Sequence, residues 1–430
     1  MKIGVIGTGY VGLVTGVMLA SLGHKIICID KDKSKLEKLS NGEPIIYENG
    51  LEEKLKSAIL NNMMIFTHDY SEINDCDAIF ICVGTPSGSD GGANLEYVYS
   101  AIDSLIEFAN NDSVIIIKST VPPGTCKEIQ KYLHTHNRKN KIASNPEFLR
   151  EGSALYDFEN ADRIIIGGDD YSCSILEKIY EKQIKKNIPV VKSSTTTSEL
   201  IKYASNSFLA VKLSFINEMS DLCEKIDADV ETLSQGMGLD KRIGAMFLKA
   251  GPGYGGSCFP KDTLALSKLA SDTETNLEVL NASIKSNLAR YKLMADKIIG
   301  ICQNAKTLTI LGAAFKAGTD DVRESPAIHI MKLLIEKSIK LNVYDPIAIK
   351  NFRELKIDNT ESFDNIYDAS INSDGIVILT EWEEFKYLDF SKLSNIISRK
   401  IIIDLRKILD SKLVKKSSFE YYTIGQKIEQ

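Results

Sequence analysis

Lys2 to Gly12 reads KIGVIGTGYVG. A short apolar run leads into Gly7-Thr8-Gly9-Tyr10-Val11-Gly12, a GxGxxG spacing between a predicted strand and a predicted helix. In that pattern Gly7 permits a tight turn, Gly9 lets the main chain approach a pyrophosphate, and Gly12 lets helix and strand pack closely. Unpaired N–H groups at the helix start then hold the phosphates. The next apolar run, KIICID (25–30), ends in Asp30, where an acid hydrogen-bonds an adenosine ribose and repels a 2′-phosphate. These residues predict NAD rather than NADP. The competing reading is a Rossmann-type domain with an empty site, or one for a flavin or a methyl donor.

Outward from this turn the rhythm continues. DAIFICVG (77–84), SVIIIKST (113–120) and RIIIGG (163–168) are apolar without alternation, as in strands buried on both faces, and helix-length segments separate them. From Thr195 the stretch TTTSELIKYASNSFLAVKLSFINEMSDLCEKID lacks Gly and Pro and predicts one long helix, with the threonines and Ser198 as candidate N-caps. Helical segments run to about residue 300. Strands then resume with TLTILGAAF (307–315), IKLNVYDP (339–346), DGIVILTEW (374–382) and KIIIDLR (400–406). The second strand ends in aspartate in both halves (Asp30, Asp345), and each half has a strand opening with one (Asp77, Asp374). The expected fold is α/β: two Rossmann-like doubly wound parallel sheets joined by a long central helix and a helical middle domain. The expected domains are 1–194, 195–300 and 301–430, the first of them for NAD.

Bulk properties narrow the function. A chain of 430 residues is too long for one core. A net charge of −6 argues against non-specific nucleic-acid binding. No apolar run approaches the roughly 20 residues of a membrane span. The N-terminus reads as strand and turn rather than a signal peptide, which predicts a cytoplasmic protein with reduced cysteines. The eight cysteines (28, 76, 82, 126, 173, 223, 258, 302) form no CxxC pair, and the five histidines no HExxH, so no metal is expected.

Five stretches carry candidate chemistry. In GYGGSCFPKD (253–262), glycines 253, 255 and 256 allow the chain to wrap a ligand. A helix starting near Phe259-Pro260 would put Cys258 at its positive end and favour the thiolate, with Asp262 one turn on. A packing cysteine is the alternative. Thr120, in STVPPG (119–124), lies at the ligand-binding edge of the sheet or serves as a cap or turn hydroxyl. Asn145-Pro146 resembles a cap and first helical position, which would set Glu147 and Glu151 on one face as base and ligand contact, or as dipole-favoured acids. Lys202 and Asn206, four apart, suit an oxyanion, or are a surface lysine and a tolerated asparagine. FKAGTDDVRESP (315–326) follows the first strand of the second sheet and suits a further phosphate or nucleotide group, or is a charged surface loop.

A hydride acceptor and a nucleophilic thiol together suggest one chemistry. Taking an alcohol to an acid requires a second hydride to leave a tetrahedral carbon. Thiolate addition to an aldehyde makes that carbon, hydride loss gives a thioester, and water cleaves it.

GTGYVG, VGTP, STVPPGT, NPEFLREG, KYASNSF, GPGYGGSCFPKD, FKAGTDDVRESPA, TEWEEF and DLRKILD, in this order, resemble the UDP-glucose 6-dehydrogenase family within the nucleotide-sugar (UDP-glucose/GDP-mannose) dehydrogenases. The resemblance implies that Cys258 forms the thioester, that Lys202 and Asn206 stabilise the oxyanion, that Asp262 with Thr120 activates or holds water, and that Glu147 is the acid/base of hydrolysis. It implies NAD contacts at Gly7, Thr8, Gly9, Tyr10, Val11, Gly12, Asp30, Lys35, Thr85, Thr120, Glu151 and Arg323. Its sugar-nucleotide contacts fall on Glu147, Phe148, Leu149, Arg150, Glu151, Lys202, Asn206, Lys249, Tyr254, Gly255, Phe315, Lys316 and Arg406. Arg242 matches an arginine offered by a neighbouring subunit; otherwise it is a surface residue. The resemblance further implies that 195–300 is a dimerisation domain, with the long helix in a homodimer interface, and that 301–430 binds the UDP-sugar. Relatives oxidise UDP-N-acetylmannosamine or GDP-mannose by the same route, and GPGYGGSCFPKD with TEWEEF looks more like the UDP-glucose branch. Lys407 stands where many relatives carry asparagine or arginine. Two other readings compete. A two-electron 3-hydroxyacid dehydrogenase would need neither Cys258 nor a second sheet. A non-catalytic nucleotide-sugar sensor would not need Cys258, Lys202 and Asp262 together.

Overall fold

Runs of Ile and Val flanked by Gly, Asp and Asn form strands here because both faces of each run can be buried. The computed structural model describes residues 1–427. Its contacts divide the chain into two units, one of residues 1–205 with 271–273, the other of the remainder.

The first unit holds β1 (Lys2–Ile6), β2 (Lys25–Ile29), β3 (Met64–Thr67), β4 (Ala78–Ile81), β5 (Val114–Ile117), β6 (Lys141–Ser144), β7 (Ile164–Gly167) and β8 (Val190–Ser193). Their order across the sheet is β3-β2-β1-β4-β5-β6-β7-β8, whose first six strands follow the dinucleotide-fold order. Pairing is parallel except where β7 meets β6 antiparallel at Ser144 and Gly167, so the expectation of a wholly parallel sheet is corrected at that one joint. Residues alternate between two cores: Ile3, Val5, Cys28 and Ile116 face one, and Ile6, Ile27, Ile79 and Ile115 the other.

The second unit repeats the order with β9 (Thr307–Leu311), β10 (Lys340–Tyr344), β11 (Thr360–Phe363), β12 (Ile376–Ile378), β13 (Ile401–Asp404) and β14 (Glu420–Thr423), all parallel, as β11-β10-β9-β12-β13-β14. The aspartates that open a strand in each half do the same work. Asp77 accepts the Lys2 N–H, and Asp374 accepts those of Lys306 and Thr307, each pinning the start of the neighbouring strand.

The long helix spans Thr195–Ile226, as its composition predicts. Its start is capped by Ser194, whose hydroxyl accepts the Thr197 N–H, rather than by the threonines or Ser198. Ser198 is buried, with its hydroxyl on that of Ser144. No helix among the described residues is long and apolar enough to cross a membrane.

Candidate active site

In the first unit the GxGxxG turn has the predicted mechanics. Gly7 adopts φ +92°, and a Cβ on Gly12 would lie 1.8 Å from the Gly7 carbonyl. A Cβ on Gly9 would meet nothing within 4 Å, so the main chain there is open to a pyrophosphate. Gly9 stands at the start of the helix Tyr10–Ser21, and Val11 follows in its first turn. Asp30 ends β2 and accepts the Thr8 N–H (2.8 Å), the Thr8 hydroxyl (2.7 Å) and the Asp32 N–H (3.0 Å). Burial works against the Asp30 anion, but these donors and the Lys35 ammonium outweigh it and hold the carboxyl below its usual range. These residues fit NAD. The Thr85 hydroxyl donates to the Thr120 carbonyl (2.8 Å), joining two more predicted contacts. Thr120 is not a helix cap, because the next helix starts at Thr125 with Gly124 before it.

NPEFLREG departs from its expected form. Residues 145–150 have no regular structure, and the next helix begins at Ala154, so Glu147 and Glu151 do not share a helix face. Asn145 is drawn inward: its amide donates to the Ile165 carbonyl (2.8 Å), and its Oδ1 accepts from the Tyr180 hydroxyl (2.6 Å) and the Lys118 ammonium (3.1 Å). Glu147 accepts the Leu149 N–H (2.6 Å) and pairs with Lys202 at 2.8 Å, both side chains almost fully buried. Burial pushes the Glu147 carboxyl up, but Lys202, the Leu149 N–H and Lys118 together bring it below its ordinary value. The Phe148 ring lies under Arg163 (3.9 Å to its centroid) and Lys202 (5.3 Å). Arg150 is held by Asp157 through a fork of hydrogen bonds.

Three residues that motif reading did not single out hold this half together. Glu48 accepts the N–H groups of Gly152 and Ala154 (both 2.8 Å) and the Tyr10 hydroxyl, tying the cofactor turn to the loop of Glu151. Glu199 accepts the N–H groups of Gly124 (2.6 Å) and Cys126 (2.7 Å), fixing the loop after Thr120. Lys118 is the third. Its signal was present: a lysine at the end of SVIIIKST, a strand otherwise apolar on both faces.

The cysteine belongs to the second unit. Seven of the eight cysteines are buried, and Cys258 is half-buried. It immediately precedes the helix Phe259–Asp272, and its carbonyl accepts the Asp262 N–H (2.8 Å), so the residue stands at a helix N-terminus, the end that favours an anion. Asp262 is buried, accepts the Asn206 amide (2.7 Å) and pairs with Lys261. The glycines before Cys258 answer to packing within the unit rather than to a ligand alone. A Cβ on Gly253 would lie 2.7 Å from the Tyr291 ring, one on Gly255 2.0 Å from the Glu324 carbonyl, and one on Gly256 2.7 Å from the Phe315 ring. Tyr254 is buried; its N–H donates to Asn287 (2.8 Å), and its carbonyl accepts from Asn287 and Tyr291. Gly251 is clamped too, donating to Asn217 (2.9 Å) and accepting from Arg290 (2.6 Å).

Arg406 donates to the carbonyls of Leu379 (2.8 Å) and Phe315 (3.1 Å) and pairs with Glu381, so it shares a locality with Phe315, Lys316 and the glycine loop. Lys407 turns away to Asp229 and Glu231. Arg323 forks onto Asp321. Lys249 is exposed, as is Arg242, which pairs with Asp240. Asp345, the counterpart of Asp30, is buried and accepts the N–H groups of Ala313, Ala314, Ile347 and Ala348 and the Trp382 indole. With those partners it cannot hold a ribose as Asp30 can, and the two sheets differ in what they can bind.

Models of the UDP-glucose/GDP-mannose dehydrogenase family match in three stretches: the NAD binding domain at residues 1–184, the central domain at 196–289 and the UDP binding domain at 309–411. The UDP-glucose 6-dehydrogenase of Rickettsia felis is 48% identical, over 100% of this chain and 97% of its own. A Bacillus subtilis UDP-glucose 6-dehydrogenase is 41% identical over 99% and 98%. The solved UDP-glucose dehydrogenase of Pyrobaculum islandicum superposes with a TM-score of 0.89 at 35% identity, covering 98% of this chain and 96% of its own.

Proposed function

Because the chain belongs to the UDP-glucose/GDP-mannose dehydrogenase family, we propose that it oxidises UDP-glucose to UDP-glucuronate with NAD, through a thioester on Cys258. The observation that carries the cysteine's part is its placement: half-buried at a helix N-terminus behind a fixed glycine turn, while the other seven thiols are buried. NAD, when bound, supplies the hydride acceptor for each of the two oxidations.

The roles of this chain's residues follow from their chemistry. The Cys258 thiolate adds to the C6 aldehyde, and Lys202 and Asn206 supply N–H donors to the oxygen that becomes negative. Asp262, anchored by the Asn206 amide, is assigned to holding water, and Thr120 is given the same role. Glu147, ionised beside Lys202, accepts the proton of the water that cleaves the thioester. Arg406, Phe315 and Lys316 are assigned to the nucleotide end of the substrate.

A homodimer is part of the same reading. Phe208 (65% exposed), Phe215 (44%), Leu222 (47%) and Ile226 (63%) lie bare along the long helix, which suits burial against a second copy. Arg242, 89% exposed at its side chain, is assigned to the site of a neighbouring subunit.

The test is NADH formation with UDP-glucose, UDP-N-acetylmannosamine and GDP-mannose in parallel. The proposal expects UDP-glucose to be preferred by kcat/KM. Preference for either of the others would reassign the substrate and leave the fold and cofactor assignments standing.

A further inference from the structure

Lys118 is a buried charge that the proposed chemistry leaves unused. It is 4% exposed at the end of β5, beside Ser119 and Thr120. Among the described residues no carboxylate pairs with it. Its ammonium donates to Asn145 Oδ1 (3.1 Å), the Asn145 carbonyl (3.4 Å) and the Tyr180 hydroxyl (3.5 Å), and lies 5.9 Å from the centre of the Phe80 ring.

A buried lysine without a counter-ion is costly, and a methionine of similar shape is normally the more stable choice. The contacts indicate what the charge is for. Asn145 is fixed by its own N–H on the Ile117 carbonyl (2.9 Å), its amide on Ile165, and Lys118 on both its oxygens. Two residues on is Glu147, with Lys202 at 2.8 Å. The charged or titratable groups acting on Lys118 are the Cys82 thiol, Glu147, Lys202 and the Tyr180 hydroxyl. Cys82 and Tyr180 are both neutral, since burial pushes the thiol up to about 12 and the phenol higher. The cluster is therefore one carboxylate among two cations.

We propose that Lys118 is a positioning residue for Glu147: it fixes the turn through Asn145, and its charge keeps Glu147 ionised as the base of thioester hydrolysis. This rests on the role given to Glu147 above. Burial lowers the Lys118 ammonium to about 8, so it remains mostly protonated at neutral pH.

The experiment compares wild type with Lys118→Met, Lys118→Gln, Lys118→Arg and Glu147→Gln. It records kcat against pH and follows the Cys258 acyl adduct by intact-protein mass. Removing a nearby cation raises a carboxyl pKa, so Lys118→Met should move the acid limb up by about one pH unit, with the adduct accumulating below it. Lys118→Gln keeps a donor to Asn145 without the charge and should shift likewise, and it decides the matter if the methionine variant does not fold. Lys118→Arg should retain the wild-type limb. An unmoved limb in the neutral variants, with kcat lowered equally at every pH, would mean a purely structural lysine and overturn the proposal. Glu147→Gln separates the two readings. If it accumulates adduct while the neutral variants keep their limb, only the Lys118 proposal falls. If it clears the adduct at the wild-type rate, the Glu147 role falls and the Lys118 proposal with it.

Discussion

Lys202 and Glu147 form an ion pair at 2.8 Å with side chains only 4% and 6% exposed. Charges buried to that degree depend on one another, and removing one partner strands the other. Lys202→Met should therefore destabilise the protein by about 3–5 kcal/mol at neutral pH. The pH dependence has a definite sign. In wild type the Glu147 carboxyl titrates below its unfolded value, so its contribution is full above that value and is lost as pH falls through the native one. In the variant, burial dominates and the order reverses, so the penalty shrinks as acid neutralises the stranded carboxylate. Urea unfolding of both proteins at pH 5 and 7 checks this, and the smaller difference is expected at pH 5.

Lys118 gives a second stability prediction of opposite character. Between its unfolded value and about 8, the unfolded chain holds a proton that the native one does not. Stability therefore falls as pH drops through that window and levels off below about 8. Lys118→Met lacks this titrating group, so its denaturation midpoint should not show the decline that wild type shows between pH 10 and pH 8.

Asp30 supports both the cofactor turn and the choice of cofactor. Asp30→Asn removes the charge that excludes a 2′-phosphate while keeping an acceptor for Thr8. The KM for NAD should rise roughly tenfold with kcat little changed, and NADP should become a measurable substrate. Initial rates with each cofactor decide it.

Gly255→Ala tests whether the cysteine loop is set by packing. Its Cβ would lie 2.0 Å from the Glu324 carbonyl, so loop or segment 324–326 must shift. A loss of about 2 kcal/mol or more in unfolding free energy is expected. The rate of Cys258 alkylation by iodoacetamide should change with it.

Much of this was legible in the residues. Five strands of the first sheet and four of the second are apolar runs buried on both faces. Of the five strands missed, β3, β8, β11 and β14 are sheet edges with partly exposed residues, where apolar patterning weakens. The fifth, β6, is KIAS, too short and too small in its side chains to stand out. Asn145-Pro146 has the local chemistry of a helix start, but long-range partners at Lys118, Ile165 and Tyr180 take the asparagine elsewhere. The glycines before Cys258 were visible as a need for close approach, though not what approaches: Glu324, Phe315 and Tyr291 are distant in sequence.

The most direct test of the central claim is a stoichiometry. Limiting UDP-glucose with excess NAD should yield two NADH per sugar from wild type, while Cys258→Ser releases no comparable amount of acid. One NADH per sugar, or an undiminished yield of UDP-glucuronate from Cys258→Ser, would show that Cys258 does not carry the sugar between the two oxidations.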